Sequence, residues 1–154
     1  SGARVAELVK SGAPEPLARA IADLSSLSSA PAIVVIANRC GKPIEAVAAA
    51  HFGIDGHLGI GALAAAAAEM PLGDSYDRLA RDRAIATIGS AHRGITANLV
   101  GGLDERERPA EALEAWSAKP NVVRARERLR ALAASAPSIA KLTVAAGLLD
   151  DLAH

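Results

Sequence analysis

Aromatic side chains are almost missing from this chain. Its 154 residues include one Trp, one Tyr and one Phe, and a single Met. The interior must therefore be filled by aliphatic groups, and a surface on which nucleobases stack has almost no material to build it. One cysteine, Cys40, excludes an internal disulfide framework and fits a reducing compartment. Charge of one sign is also lacking: 17 Lys and Arg balance 17 Asp and Glu. The chain as a whole thus has none of the basic excess that nucleic-acid binding usually leaves. No apolar run approaches the ~20 residues of a membrane span, and the alanine run 62–68 is too short and too weakly hydrophobic. The opening residues lack the basic and apolar regions of a secretory leader. The expectation is a cytoplasmic chain with neither nucleic acid nor membrane as partner.

What is abundant is small and aliphatic. The hydrophobic fraction is 51%, enough for a real core, and about a quarter of all residues are alanine. Alanine has the highest helix propensity and loses no side-chain entropy on folding. Its small side chain also lets helices approach closely. Composition therefore predicts an all-α fold with thin layers between helices.

Punctuation along the chain agrees. "ARVAELVKSG" places Val5, Leu8 and Val9 on one face before Gly12. "APEPLARAIADLSSLSSA" opens with proline, where a missing N–H costs nothing, and repeats Leu17, Ile21 and Leu24 at helical spacing. "AIVVIA" is β-branched enough for a strand, yet no second strand exists to pair with it. It reads as a buried helix with Pro31 in the first turn. "KPIEAVAAAHFG" gives a helix after Pro43, expected to end at His51, and Asp55 is a candidate cap for a run over 56–69. Asp74 is the expected N-cap of the longest helix, which Gly101 and Gly102 end. In it Ile85, Ile88, His92, Ile95 and Leu99 form a seam for another helix. A short helix carries Trp116. A basic amphipathic one follows with Val122, Leu129 and Leu132. The last is expected to bury Ile139, Leu142, Thr143, Ala146 and Leu149. The sum is a compact bundle of about eight helices with short loops, occupying 1–154 as one domain.

Reactive constellations are hard to find. "HFGIDGHLGIGALAAAAA" crowds Gly53, Gly56, Gly59 and Gly61 ahead of a helix. A dinucleotide loop reads G-x-G-x-x-G after a strand. Here the spacing is reversed, the preceding segment reads as helix, and no Gly-Lys-Ser/Thr follows. The glycines fit a helix corner better. Cys40, His51, His57, His92 and His154 are the candidate His and Cys ligands, but no H-E-x-x-H or C-x-x-C occurs. His51 and His57 are expected on either side of one turn, within reach of each other, and two ligands do not make a structural zinc site. The better reading puts His51 at a helix end and makes His92 a hydrogen-bonded core residue. Cys40 beside Arg39 near a helix end is a candidate low-pKa thiol, with simple burial the plainer reading; no Ser lies in G-x-S-x-G, and Asp150 and Asp151 point in different directions. "RARERLR" carries Arg124, Arg126, Arg128 and Arg130. Nearby acids, among them Asp104, Glu111, Glu114 and Glu127, predict a solvated, ion-paired face. No catalytic, cofactor-binding or metal residue is assigned.

Order, rather than any one motif, carries a resemblance. "GAPEPLARAIADLSSLSSAPAIVVIANRCGKPIEAVAAAHFGIDGHLGIGAL", "MPLGDSYDRLARDRAIATIGSAHRGITANLV" and "SIAKLTVAAGLLDDLA" follow one another as in the C-terminal helical region of the large bacterial NAD-specific glutamate dehydrogenases. The chain resembles that region over nearly its whole length. The resemblance implies a fragment of a much longer polypeptide that oxidises glutamate to 2-oxoglutarate and ammonia. The NAD site and the catalytic residues would lie upstream, so NAD belongs to the parent enzyme and no cofactor to this chain. It also implies a non-catalytic domain that assists assembly or regulation, with the rest of the polypeptide and homo-oligomer neighbours as partners. Tyr76, Arg93 and Trp116, scarce large groups of the kind that dominate interfaces, are the candidate interaction residues. The seam from Ile85 to Leu99 and the outer side of the last helix are candidate docking surfaces. Two alternatives stand beside this: a regulatory domain binding a small anion through Arg39, His51, His57 and Arg93, and a freestanding helical interaction protein.

Overall fold

A computed structural model describes residues 5, 6, 9, 10, 30–104 and 108–154. Among them are seven α-helices and no strand: α1 (Ala30–Cys40), α2 (Ile44–Leu58), α3 (Ile60–Ala68), α4 (Ser75–Gly101), α5 (Pro109–Ser117), α6 (Pro120–Ala134) and α7 (Ile139–Ala153). The all-α reading holds. The helix expected over "APEPLARAIADLSSLSSA" lies outside the described residues. Of the segment before it, Val5, Ala6, Val9 and Lys10 are described and helical.

Helix ends follow local chemistry. The β-branched "AIVVIA" is helical, as α1, because its hydrophobic positions find helices and no strand to pack on. Gly41 (φ 61°) stops it in the left-handed region that glycine adopts at least cost. Its N–H and that of Lys42 then return to the carbonyls of Asn38 (3.3 Å) and Ala37 (3.1 Å), which closes a Schellman motif. Gly59 (φ 70°) ends α2 by the simpler route, one bond to the carbonyl of Asp55. Asp74 caps α4 by accepting from the Asp77 N–H (3.0 Å), and the Asp77 carboxylate accepts from the Gly73 N–H (3.2 Å). Ser138 caps α7 through the Lys141 N–H. Pro109 and Pro120 open α5 and α6 where no N–H is missed.

The 27-residue α4 is the spine, about 40 Å long. Its most extensive packing is with α7. Ala84, Ile88, Ala91 and Ile95 of α4 join Leu142, Ala145, Ala146 and Leu149 of α7 in the larger core cluster, with Leu129 and Val122 of α6 and Ile54 and Leu58 of α2. Alanines at this contact keep the layer thin, while each buried Ile or Leu contributes about 1.5–3 kcal/mol. Thr143, expected inside, is exposed; Ala145 takes the inner position, and the Thr143 hydroxyl donates to the Ile139 carbonyl. A smaller cluster gathers Ile33 and Ala37 of α1, Val47, Ala48 and Ala50 of α2, and Val100 at the end of α4. Lys42 fastens the turn between α1 and α2 to the end of α4 by donating to the Leu103 carbonyl.

Candidate functional site

The glycine-rich stretch spans α2 and α3 and the corner between them. Among its glycines, Gly53 serves packing and Gly59 the helix end. A Cβ on Gly53 would collide with the Leu113 Cδ1 of α5, so this position lets the two helices meet. Asp55 sits inside α2 rather than ahead of the next helix, yet it still serves the corner. Burial raises its pKa, and a hydrogen bond from the Gly61 backbone N–H opposes that shift. The carboxylate thus caps α3 from the helix before it.

The histidines depart from expectation. His51 does not end a helix: α2 runs on through Gly53 and Gly56 to Leu58. His57 is in the last turn of that same helix, so the two cannot meet across a turn. Instead His51, at 4% exposure, meets His92 of α4, at 1%, with ring centroids 4.1 Å apart and planes at 70°. Neither nitrogen of His92 has a hydrogen-bond partner of good geometry, which corrects the expectation of a hydrogen-bonded ring. Burial lowers the His51 pKa to about 4. It lowers that of His92 to about 3, helped by the charges of His51 and Arg93 and opposed by the His51 backbone. Both rings are therefore neutral near pH 7. Their place is the junction of the two apolar clusters: along α2, His51 stands between Ala50 of one and Ile54 of the other. Among the described residues no group of three or more His, Cys, Asp or Glu is arranged to hold a metal ion. Cys40 is half-buried and packs against the smaller cluster.

The three candidate interaction residues separate. Trp116 is half-buried and packs on the larger cluster. Tyr76 is 81% exposed at the start of α4, and Leu79, which the sequence reading passed over, is 51% exposed. Arg93 is exposed on the same helix. Steps of three and four connect Tyr76, Leu79, Arg83, Ala86, Ser90 and Arg93, all exposed, into one stripe about 25 Å long. The seam expected as a docking surface is different. Ile88, His92 and Ile95 are buried, and Ile85 and Leu99 are half-covered against the core. This seam is an internal joint, because α7 lies on it.

On α6, Arg124, Arg128 and Arg130 are exposed and Arg126 is half-buried with its Nε unpartnered. None of the four is ion-paired with a described carboxylate; the recorded pairs are Arg81–Asp82 and His154–Asp150. The ion-paired face expected here is thus not formed by the described residues.

A family model, glutamate dehydrogenase, C-terminal, matches residues 1–151. The chain belongs to that family. No curated protein matches it. No described helix is long and apolar enough to cross a membrane.

Proposed function

We propose that this chain is the non-catalytic C-terminal domain of an NAD-dependent, bacterial glutamate dehydrogenase, and that it assists assembly or regulation by docking on the rest of that polypeptide or on an oligomer neighbour. NAD and the oxidation of glutamate to 2-oxoglutarate and ammonia belong to the parent enzyme, a cytoplasmic protein in this reading. The observation that carries the docking role is the α4 stripe. The chain's one tyrosine is spent on water at 81% exposure, with Leu79 one turn away. Burying what they still expose against a partner would contribute about 1–2 kcal/mol each. Arg93, at the far end of the stripe, gives such a contact a charged edge.

The experiment replaces Tyr76 and Leu79 by Ser in the full-length enzyme. Light scattering at a fixed concentration should show a smaller assembled fraction, and glutamate-dependent NAD reduction should fall with it. The 154-residue chain carrying the same changes should keep its thermal midpoint. Unchanged assembly and turnover would overturn the docking role.

A further inference from the structure

We propose that the groove between α6 and α7 is a binding site for a compact organic dianion. The proposal is independent of the α4 stripe. The groove encloses about 310 Å³, at the small end for ligand sites, and is lined by Asn121, Arg124 and Arg128 of α6 and Leu148, Asp151 and Leu152 of α7.

Charge argues first. Arg124 and Arg128 are four residues apart, so they lie one above the other on one face of the helix, about 5–6 Å between Cβ atoms. Neither guanidinium is paired with a described carboxylate. A guanidinium is a planar fork that matches an oxyanion with two parallel hydrogen bonds. Two forks at this spacing suit two oxyanion groups on a short spine, or one phosphate between them. The Asn121 amide adds a neutral donor at the same wall.

The opposite wall argues second. Leu148 and Leu152 are also four apart, on α7, and give the groove an apolar floor strip for carbon. Asp151 stands between them at an exposed position. It leaves the lining with a net charge of +1 (two Arg less one Asp), and it repels a simple dianion. Its carboxylate therefore lowers affinity for such a ligand rather than holding it. The larger cavity at the α1–α2 corner, about 590 Å³, competes poorly, because its lysine, Lys42, is already committed to the Leu103 carbonyl.

The test is titration of the 154-residue chain with glutarate and with inorganic phosphate, followed by calorimetry at 20 mM and 500 mM NaCl. Saturable binding should appear with either probe at low salt and weaken at high salt, as expected of a solvent-exposed charge site. Tighter glutarate identifies a spaced dicarboxylate as the ligand; tighter phosphate identifies a phosphate ester. Arg124→Gln and Arg128→Gln should each weaken binding about fivefold, and Asp151→Asn should tighten it about twofold to fivefold. All three positions are exposed, so helix content by circular dichroism should not change. No saturable binding of either probe, or binding indifferent to both arginine variants, would overturn the proposal. So would an Asp151→Asn variant that binds more weakly.

Discussion

The two apolar clusters are built differently. The larger one is filled by long aliphatic side chains from six helices, with Ile54, Leu58, Ile60, Ile88, Leu129 and Leu149 wholly enclosed. The smaller one encloses mainly alanine and valine from α1 and the first half of α2, with Ile33 its largest buried member. One chain thus carries a core rich in large aliphatic groups and one made mostly of small ones. The difference teaches where stability resides: area removed from water scales with side-chain size, so the larger cluster should dominate unfolding. The histidine pair lies where they meet, and there polar atoms replace what aliphatic groups would otherwise supply.

The sharpest way to test this contrast is truncation in each cluster. Ile88→Ala should cost about 4 kcal/mol in urea unfolding, while Ile33→Ala should cost nearer 2 kcal/mol, because α1 has fewer neighbours with which to trap a cavity. Equal costs would remove the distinction.

Acid should act at the junction. An unfolded histidine titrates near 6.5, whereas His51 and His92 in the fold titrate near 4 and 3. Between those limits the unfolded chain binds more protons, so stability is complete above pH 6.5 and falls as pH drops towards 4. The loss by pH 4 should be about 3 kcal/mol for each ring, and His92→Leu should flatten the profile. Asp55, whose pKa is raised, works weakly in the opposite direction. A profile with the same slope in the variant would show that the pair is not its source.

Next in size is Gly53→Ala. The added methyl collides with Leu113 and should cost about 1–3 kcal/mol. In the Leu113→Ala background the penalty should shrink, which a double-mutant cycle measures as non-additivity. Smallest is Tyr76→Ala in the 154-residue chain, which should change stability by less than about 0.5 kcal/mol. A larger loss would mean that the tyrosine packs within the domain.

Much of this architecture was legible in the sequence for local reasons. Asp74 as a cap, prolines at helix starts, and the helical state of "AIVVIA" depend on neighbours a few residues away. What escaped depended on distant contacts. His51 and His92 are far apart in sequence, so no spacing rule connects them, and the helix end expected at His51 gave way because α2 runs on through Gly53, where α5 presses close, and through Gly56. The seam of α4 was correctly read as apolar, but which helix covers it was not written in its period. The exposure of Tyr76 was hidden for the same reason: a lone tyrosine near a cap serves a core or a surface equally well. The open arginines of α6 looked balanced by acids nearby in sequence, and the fold does not bring the described ones to them.

The tie between Asn98 and the end of α7 bears on how the domain is made. The Asn98 amide donates to the Ala153 carbonyl (3.2 Å), and a Cβ on Gly94 would touch that of Ala153. Since α4 ends soon after Asn98, α7 must run along it in the same direction, with α5 and α6 as the return path. The partner of Ile88 and Ile95 is therefore a segment that a ribosome delivers after α4, α5 and α6. Until residues 139–153 emerge, the long helix carries a bare apolar flank, so the nascent domain is most open to aggregation between the synthesis of α4 and that of α7.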